Sequence, residues 1–315
     1  MAKYRNNLPQ LSGELFLTDG GAETTLIFHE GLDLPEFAAF DLLKKSEGVE
    51  ALRRYYRTYA SLARKYRVGF VLESPTWRAN SDWGTKLGYS AEELVEKNQQ
   101  SIELLEEIRN EYENENTRMV LGGCVGPRGD GYNPSEYMTE EEALHYHATQ
   151  IETFSSTNAD MITAMTITYF EEAVGIANAA KESGMPVVMS FTVETDGKLP
   201  SGQTLKEAVQ KVDEATANYP AYYMINCAHP THFEGVLAAN ETWHQRIRGL
   251  RANASTLSHA ELDEAVELDD GNPAELGRQY KVLRSVLSNL NVLGGCCGTD
   301  HRHVEEICKA SVSLG

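Results

Sequence analysis

The chain has 315 residues, 41% hydrophobic and 24% charged, enough to bury one large core. Its formal charge of −19 would repel nucleic acid and anionic membrane surfaces, so neither is an expected partner. No basic and apolar leader pattern opens it, no apolar run approaches the roughly 20 residues that cross a bilayer, and five cysteines lack the spacing of a secreted disulfide scaffold; together these point to a reducing, cytoplasmic compartment where thiols bind metal or pack.

In chain order, short runs rich in Val, Ile, Leu and Met predict strands at Leu15–Thr18, Val68–Glu73, Met119–Val125, Met161–Ile167, Val187–Thr192, Tyr222–Asn226, Ile247–Ala252 and Val292–Gly294. Longer helix-like segments separate them, and no linker or low-complexity stretch divides the chain, so a single domain over 1–315 is expected. Ser90…Glu93, Thr139…Glu142 and Thr204…Glu207 each read as a capping box, in which hydroxyl and carboxylate satisfy the free N–H groups of a helix start. Regular strand–helix alternation argues for parallel strands. Roughly eight of them, with no G-x-G-x-x-G after the first, favour an α/β fold of the (β/α)8 TIM barrel type over an open doubly wound sheet.

A barrel gives the cysteines their meaning, because active sites in that architecture gather in the loops at the C-terminal ends of the strands. Cys227 falls just past the sixth predicted strand, and Cys296 and Cys297 just past the eighth. Three thiolates at one mouth make a zinc site with one coordination position left for a substrate thiol. Adjacent side chains usually point apart, so Cys296 and Cys297 can share an ion only on an irregular backbone, which Gly294, Gly295 and Gly298 permit. Cys124 and Cys308 sit in no ligand-like context and are expected to pack as small hydrophobes. An iron–sulfur cluster is the competing use of three cysteines, although cluster ligands more often come in closely spaced runs.

The chemistry follows from the donor set. A free thiol has a pKa of about 8.5, so little is ionised at neutral pH; coordination to zinc removes the proton and leaves the sulfur nucleophilic. Three thiolates already give the site a negative charge, which favours a cationic methyl donor, a sulfonium or ammonium. Trp77 and Tyr169 are aromatic candidates for holding such a cation, with simple packing as the alternative.

Asn226-Cys227 together with Gly294-Gly295-Cys296-Cys297-Gly298-Thr299 resembles the zinc-dependent homocysteine S-methyltransferase family. Further segments agree in order and spacing: Asp19-Gly20-Gly21-Ala22-Glu23-Thr24, Ser74-Pro75-Thr76-Trp77-Arg78-Ala79-Asn80, Gly122-Gly123-Cys124-Val125-Gly126-Pro127, Ser190-Phe191 and Asn253. The resemblance implies an eight-stranded barrel, zinc held by Cys227, Cys296 and Cys297, and methyl transfer to homocysteine to give methionine. The chain runs only a short way past the cysteine pair, so the S-methylmethionine-type organisation is expected, a catalytic barrel alone with a sulfonium donor. The alternatives are a different thiol or selenol acceptor, or a non-catalytic zinc- or thiol-binding module.

By the same resemblance the Asp19-Gly20-Gly21 turn holds the amino acid substrate, glycine N–H groups meeting its carboxylate and the acidic Asp19 and Glu23 its ammonium. Asn226 and Asn253 are expected to touch substrate, and Glu73 and Glu194, carboxylates at strand ends, to orient it. His301 and His303 are expected to face solvent at the start of the last helix. One departure stands out: Met165 occupies the fourth-strand position where characterised family members carry a glutamate that binds the homocysteine amino group, and a thioether cannot accept that charge-assisted bond. Asp300-His301 also departs, where the family usually has Thr or Pro.

Overall fold

Strands that are mostly apolar need cover on both faces, and the chain supplies it by rolling them into a closed parallel barrel. The order is β1 (Phe16–Leu17), β2 (Gly69–Glu73), β3 (Met119–Val125), β4 (Met161–Ile167), β5 (Val187–Phe191), β6 (Tyr222–Asn226), β7 (Ile247–Ala252) and β8 (Val292–Gly295). β8 returns to β1 through Phe16↔Val292 and Leu17↔Leu293, which closes the sheet. In this computed structural model residues 2–132, 134, 137–237, 241–264 and 267–312 are described. Every strand end lies within one residue of its predicted place.

One principal helix follows each strand: α1 (Ser46–Tyr66), α2 (Ala91–Tyr112), α3 (Glu140–Ser155), α4 (Phe170–Glu182), α5 (Leu205–Thr216), α6 (Pro230–Leu237), α7 (Pro273–Val286) and α8 (His301–Val312). α1 shows why they pack: Ala51, Leu52, Tyr55, Tyr56, Tyr59, Ala60 and Ala63 recur at three- and four-residue spacing and are all buried. The three predicted capping boxes open α2, α3 and α5, each with both reciprocal bonds made. A further pair, Ser258 with Glu261 at the start of the short helix His259–Glu264, exchanges the same kind of bonds and has no counterpart among the sequence expectations. Among the described residues no helix is long and apolar enough to cross a membrane.

The barrel interior is layered. Its lower part is an apolar cluster of Phe16, Val71, Val120, Met161, Val188, Tyr222, Met224 and Val292. Two residues further along several of the same strands, side chains of the same facing turn polar while remaining buried: Thr18, Glu73, Thr163 and Ser190, with Arg251 beside them on β7. This polar layer is the floor of the mouth where the strands end.

Candidate functional site

Cys227, Cys296 and Cys297 meet at that mouth, their three Sγ atoms within 4.8 Å of one another. Cys227 follows β6 with φ +53°, in the left-handed region, and its N–H donates to the Arg251 carbonyl at 3.1 Å, so the end of β7 fixes its place. Cys296 leaves β8 with its N–H on the Ala252 carbonyl at 2.9 Å. The turn that brings Cys297 to the same side passes through Gly298 at φ +77°, where an added Cβ would stand 2.8 Å from the Asp269 carbonyl.

The geometry suits zinc. Two sulfurs bonded to one tetrahedral zinc at about 2.3 Å each are about 3.8 Å apart, and Cys227 and Cys297 Sγ lie 3.9 Å apart. Cys227 and Cys296 Sγ lie directly against each other, with Cα atoms 5.4 Å apart. That closeness is what ligands of a single ion need, since sulfurs on one zinc must converge on one point. Cys124 and Cys308 are free and buried away from the cluster, as expected.

The backbone beside the cluster is held in an uncommon shape. Thr166, β-branched, has φ +63°, and the β4–β5 register shifts between Ala164 and Ile167. Asn226 pins this irregularity: its Oδ1 accepts from Thr166 N at 3.0 Å and Ser190 Oγ at 2.6 Å, and its Nδ2 donates to Thr166 Oγ1 at 2.8 Å. Asn226, expected among the substrate contacts, is thus engaged by three hydrogen bonds to two neighbours, Thr166 and Ser190. Asn253 differs: it is buried, and its Oδ1 has no hydrogen-bond partner among the described residues.

Charge is concentrated below the sulfurs. Asp19 pairs with Arg251, Oδ1 to Nη2 at 2.5 Å, and accepts from Tyr55 Oη at 2.9 Å. Arg251 also donates to the carbonyls of Gly295 and Gly20, and although burial works against its charge, Asp19 holds the guanidinium firmly protonated. Glu73 is sealed at 6% exposure; Thr163 donates to its Oε1 at 2.9 Å, its Oε2 has no hydrogen-bond partner among the described residues, and burial pushes its carboxyl up to about 7. Glu23, half-buried in the first turn after Gly21, is also pushed up by burial, with Asp19 adding to the effect.

Several expectations change here. The Gly21 N–H was to meet a substrate carboxylate, but it donates to Thr299, to the carbonyl at 3.0 Å and to Oγ1 at 3.2 Å, and a Cβ at Gly21 would stand 2.7 Å from the Cys296 carbonyl. Gly20 and Gly21 serve close approach of β1 and β8. Tyr169 packs instead of facing the mouth: it is buried, takes the Met138 N–H on its hydroxyl and meets Tyr137 edge-on. His303 is fully buried rather than solvent-facing, its Nδ1 3.2 Å from Asp300 and its Nε2 2.8 Å from the Asp270 carbonyl; His301 is exposed.

At the rim, Trp77 is half-buried and donates from Nε1 to the Met165 carbonyl at 3.1 Å. Glu194 Oε1 lies 3.0 Å from His259 Nδ1, and His259 Nε2 donates to the Cys227 carbonyl at 2.6 Å, so Glu194 acts on the cluster through His259. Tyr132 stacks on His259, ring centroids 4.2 Å apart, and its hydroxyl is 3.3 Å from Cys297 Sγ. Arg251, His259 and Tyr132 were not among the sequence candidates. Arg251 had a signal, a charge inside a strand buried along nearly its whole length, which requires a buried anion. Tyr132 lies in a loop and His259 opens the short helix His259–Glu264, and neither had such a signal.

A family model described as homocysteine S-methyltransferase matches residues 16–311. Betaine–homocysteine S-methyltransferase 1 of Bos taurus is 25% identical over 323 residues, covering 95% of this chain and 72% of its own. Homocysteine S-methyltransferase 2 of Saccharomyces cerevisiae is 25% identical over 203 residues, 60% of this chain and 61% of its own. Among solved structures, the oxidized form of the homocysteine methyltransferase MmuM from Escherichia coli superposes with TM-score 0.73 at 19% identity, covering 95% of this chain and 96% of that one. Its metallated form gives TM-score 0.73 at 17% identity with the same coverage. These two likenesses concern the fold.

Proposed function

The chain belongs to the homocysteine S-methyltransferase family, methyl transfer to the homocysteine thiol being the family's reaction, and we propose that it does so as a zinc enzyme with an onium donor, S-methylmethionine or a similar sulfonium. The observation that carries this reading is the convergence of three cysteine sulfurs within 4.8 Å at the C-terminal mouth of the barrel. Zinc held by reduced Cys227, Cys296 and Cys297 would supply one thing, an acceptor sulfur kept as thiolate at neutral pH. The chain's residues do the rest. His259, oriented by Glu194, fixes the Cys227 carbonyl, and Asn226 holds the left-handed turn at Thr166 beside it. Three cysteine thiolates would give the mouth a negative charge, which favours a cationic methyl donor over an anionic one. The unpaired Asn253 Oδ1 is a hydrogen-bond acceptor for the substrate's polar end.

In the transfer an S–CH3 bond forms as the donor's bond to that methyl breaks, the electron pair leaving with the onium atom, which becomes neutral. A second reading, a thiol acceptor other than homocysteine, is favoured by Met165. The test is zinc-edge X-ray absorption on the reduced chain with and without L-homocysteine, counting sulfurs at about 2.3 Å. A rise from three to four supports homocysteine bound through its thiol. Three in both samples points to another acceptor, and absence of zinc overturns the reading. Turnover assays with S-methylmethionine and betaine then decide the donor.

A further inference from the structure

Arg78, in the loop after β2, is 8% exposed, and its Nε is sealed without a hydrogen-bond partner. Asp130, Glu23 and Glu36 oppose its charge only at longer range, and among the described residues no carboxylate comes within ion-pair distance of it. Its guanidinium instead lies between two indoles, 3.6 Å from the Trp83 ring centroid and 4.6 Å from that of Trp77. A guanidinium has five donors in a fixed fork and no way to shed its charge, so a buried one without an anion is costly unless a ligand completes it. Stacking fixes the plane of the fork and leaves its edge for a planar, two-oxygen partner.

Arg78 is tied to the sulfur cluster on two sides. Trp77, which it covers, bonds the Met165 carbonyl on β4, one residue before Thr166 and its contact with Cys227. Tyr132, electrostatically coupled to Arg78, has its hydroxyl 3.3 Å from Cys297 Sγ. Meanwhile the other cations here are occupied: Arg251 by Asp19 and two carbonyls, Arg128 by Asp82. The Gly21 N–H is taken by Thr299.

We propose that Arg78, stacked between Trp77 and Trp83, binds the carboxylate of a zwitterionic substrate at the barrel mouth. The assignment rests on the methyl-transfer reading for the identity of that substrate. Either the amino acid acceptor or the amino acid sulfonium donor carries such a carboxylate, and the two sources are separable by experiment.

The experiment compares reduced, zinc-loaded full-length protein with Arg78→Met and Arg78→Lys, by calorimetric binding and by KM and kcat. Two ligand pairs are used: L-homocysteine with 3-aminopropane-1-thiol, and S-methylmethionine with (3-aminopropyl)dimethylsulfonium. Each pair differs in the carboxylate alone. Arg78→Met should weaken the carboxylate-bearing member of one pair by roughly 10- to 100-fold while its partner changes less than about twofold. Arg78→Lys, which keeps the charge without the fork, should fall between. The affected pair identifies the source. Equal losses for both members of each pair, or no change in any, would overturn the assignment. If Arg78→Met does not fold by circular dichroism, Arg78→Lys gives the same comparison. Carboxylate-dependent binding of L-homocysteine without turnover would keep Arg78 and sink the methyl-transfer reading; turnover untouched in both variants would do the reverse.

Discussion

Inside one barrel, the layer of Phe16, Val71, Val120, Met161, Val188, Tyr222, Met224 and Val292 is apolar and almost wholly buried, while a layer two residues higher on several of the same strands holds Glu73, Thr163 and Ser190, with Arg251 and Asp19 beside them, equally buried. Burial alone therefore does not distinguish the two. The lower layer is stabilised by removing carbon from water; the upper layer contains ions and unpaired acceptors that cost stability unless each finds a partner. Left-handed Thr166 and Cys227 cluster with the upper layer, and neither ends a helix. Strain and unpaired polar groups thus gather at the end where the three cysteines meet.

The sharpest way to break that contrast is to remove a sulfur. Cys296→Ala or Cys227→Ala should lose bound zinc and all measurable methyl transfer while the far-ultraviolet circular dichroism stays that of the parent. Near-stoichiometric zinc by elemental analysis with full activity in either variant would refute the site. The opposite experiment is in the lower layer: Phe16→Ala removes a wholly buried ring and should cost about 3–5 kcal/mol in a denaturant titration. Zinc content at low denaturant should not change. A variant that folds normally but loses zinc would show that the layers are not separable.

Glu73 gives the next effect, one of pH. Its carboxyl is raised by burial from 4.5 to about 7, so between those values the folded protein holds a proton that the unfolded chain has lost. Stability from this group is therefore full below about 4.5 and is lost as pH rises through about 7, a change of roughly 3 kcal/mol. Glu73→Gln, which keeps the shape and carries no charge, should flatten the melting temperature over that window relative to the parent. An unchanged slope would assign the titration to another group.

The same division explains what was legible in the sequence. Strand positions, capping boxes and the three cysteines follow local rules, apolar runs, a hydroxyl three residues before a carboxylate, and thiols past strand ends, and each stands within a residue of its predicted place. The upper layer's wiring was not legible, because it depends on which loops come together. Gly21 looked free to bind a carboxylate until β8 placed Thr299 over its N–H. His303 looked solvent-facing at a helix start until Asp300 and the Asp270 carbonyl enclosed it. Arg251 was the exception, since a guanidinium inside a buried strand announces a buried anion, here Asp19.

Met165 is where the lower layer's chemistry intrudes on the upper. It stands two positions beyond Thr163, whose hydroxyl bonds Glu73, and is 6% exposed, so a thioether lies at the mouth where the family's resemblance calls for a carboxylate. Met165→Glu would set a second acid one step above Glu73, a like-charge contact that raises the cost of ionising either. An incoming ammonium would offset that cost through a charge-assisted bond, and the balance makes this the smallest effect of the four. If homocysteine binds in the family's pose, its affinity in calorimetry should rise about tenfold, equivalent to about 1.4 kcal/mol. Unchanged or weaker binding would mean that the amino group is held elsewhere in the mouth, and that Met165 reflects a rebuilt recognition site instead of a missing contact.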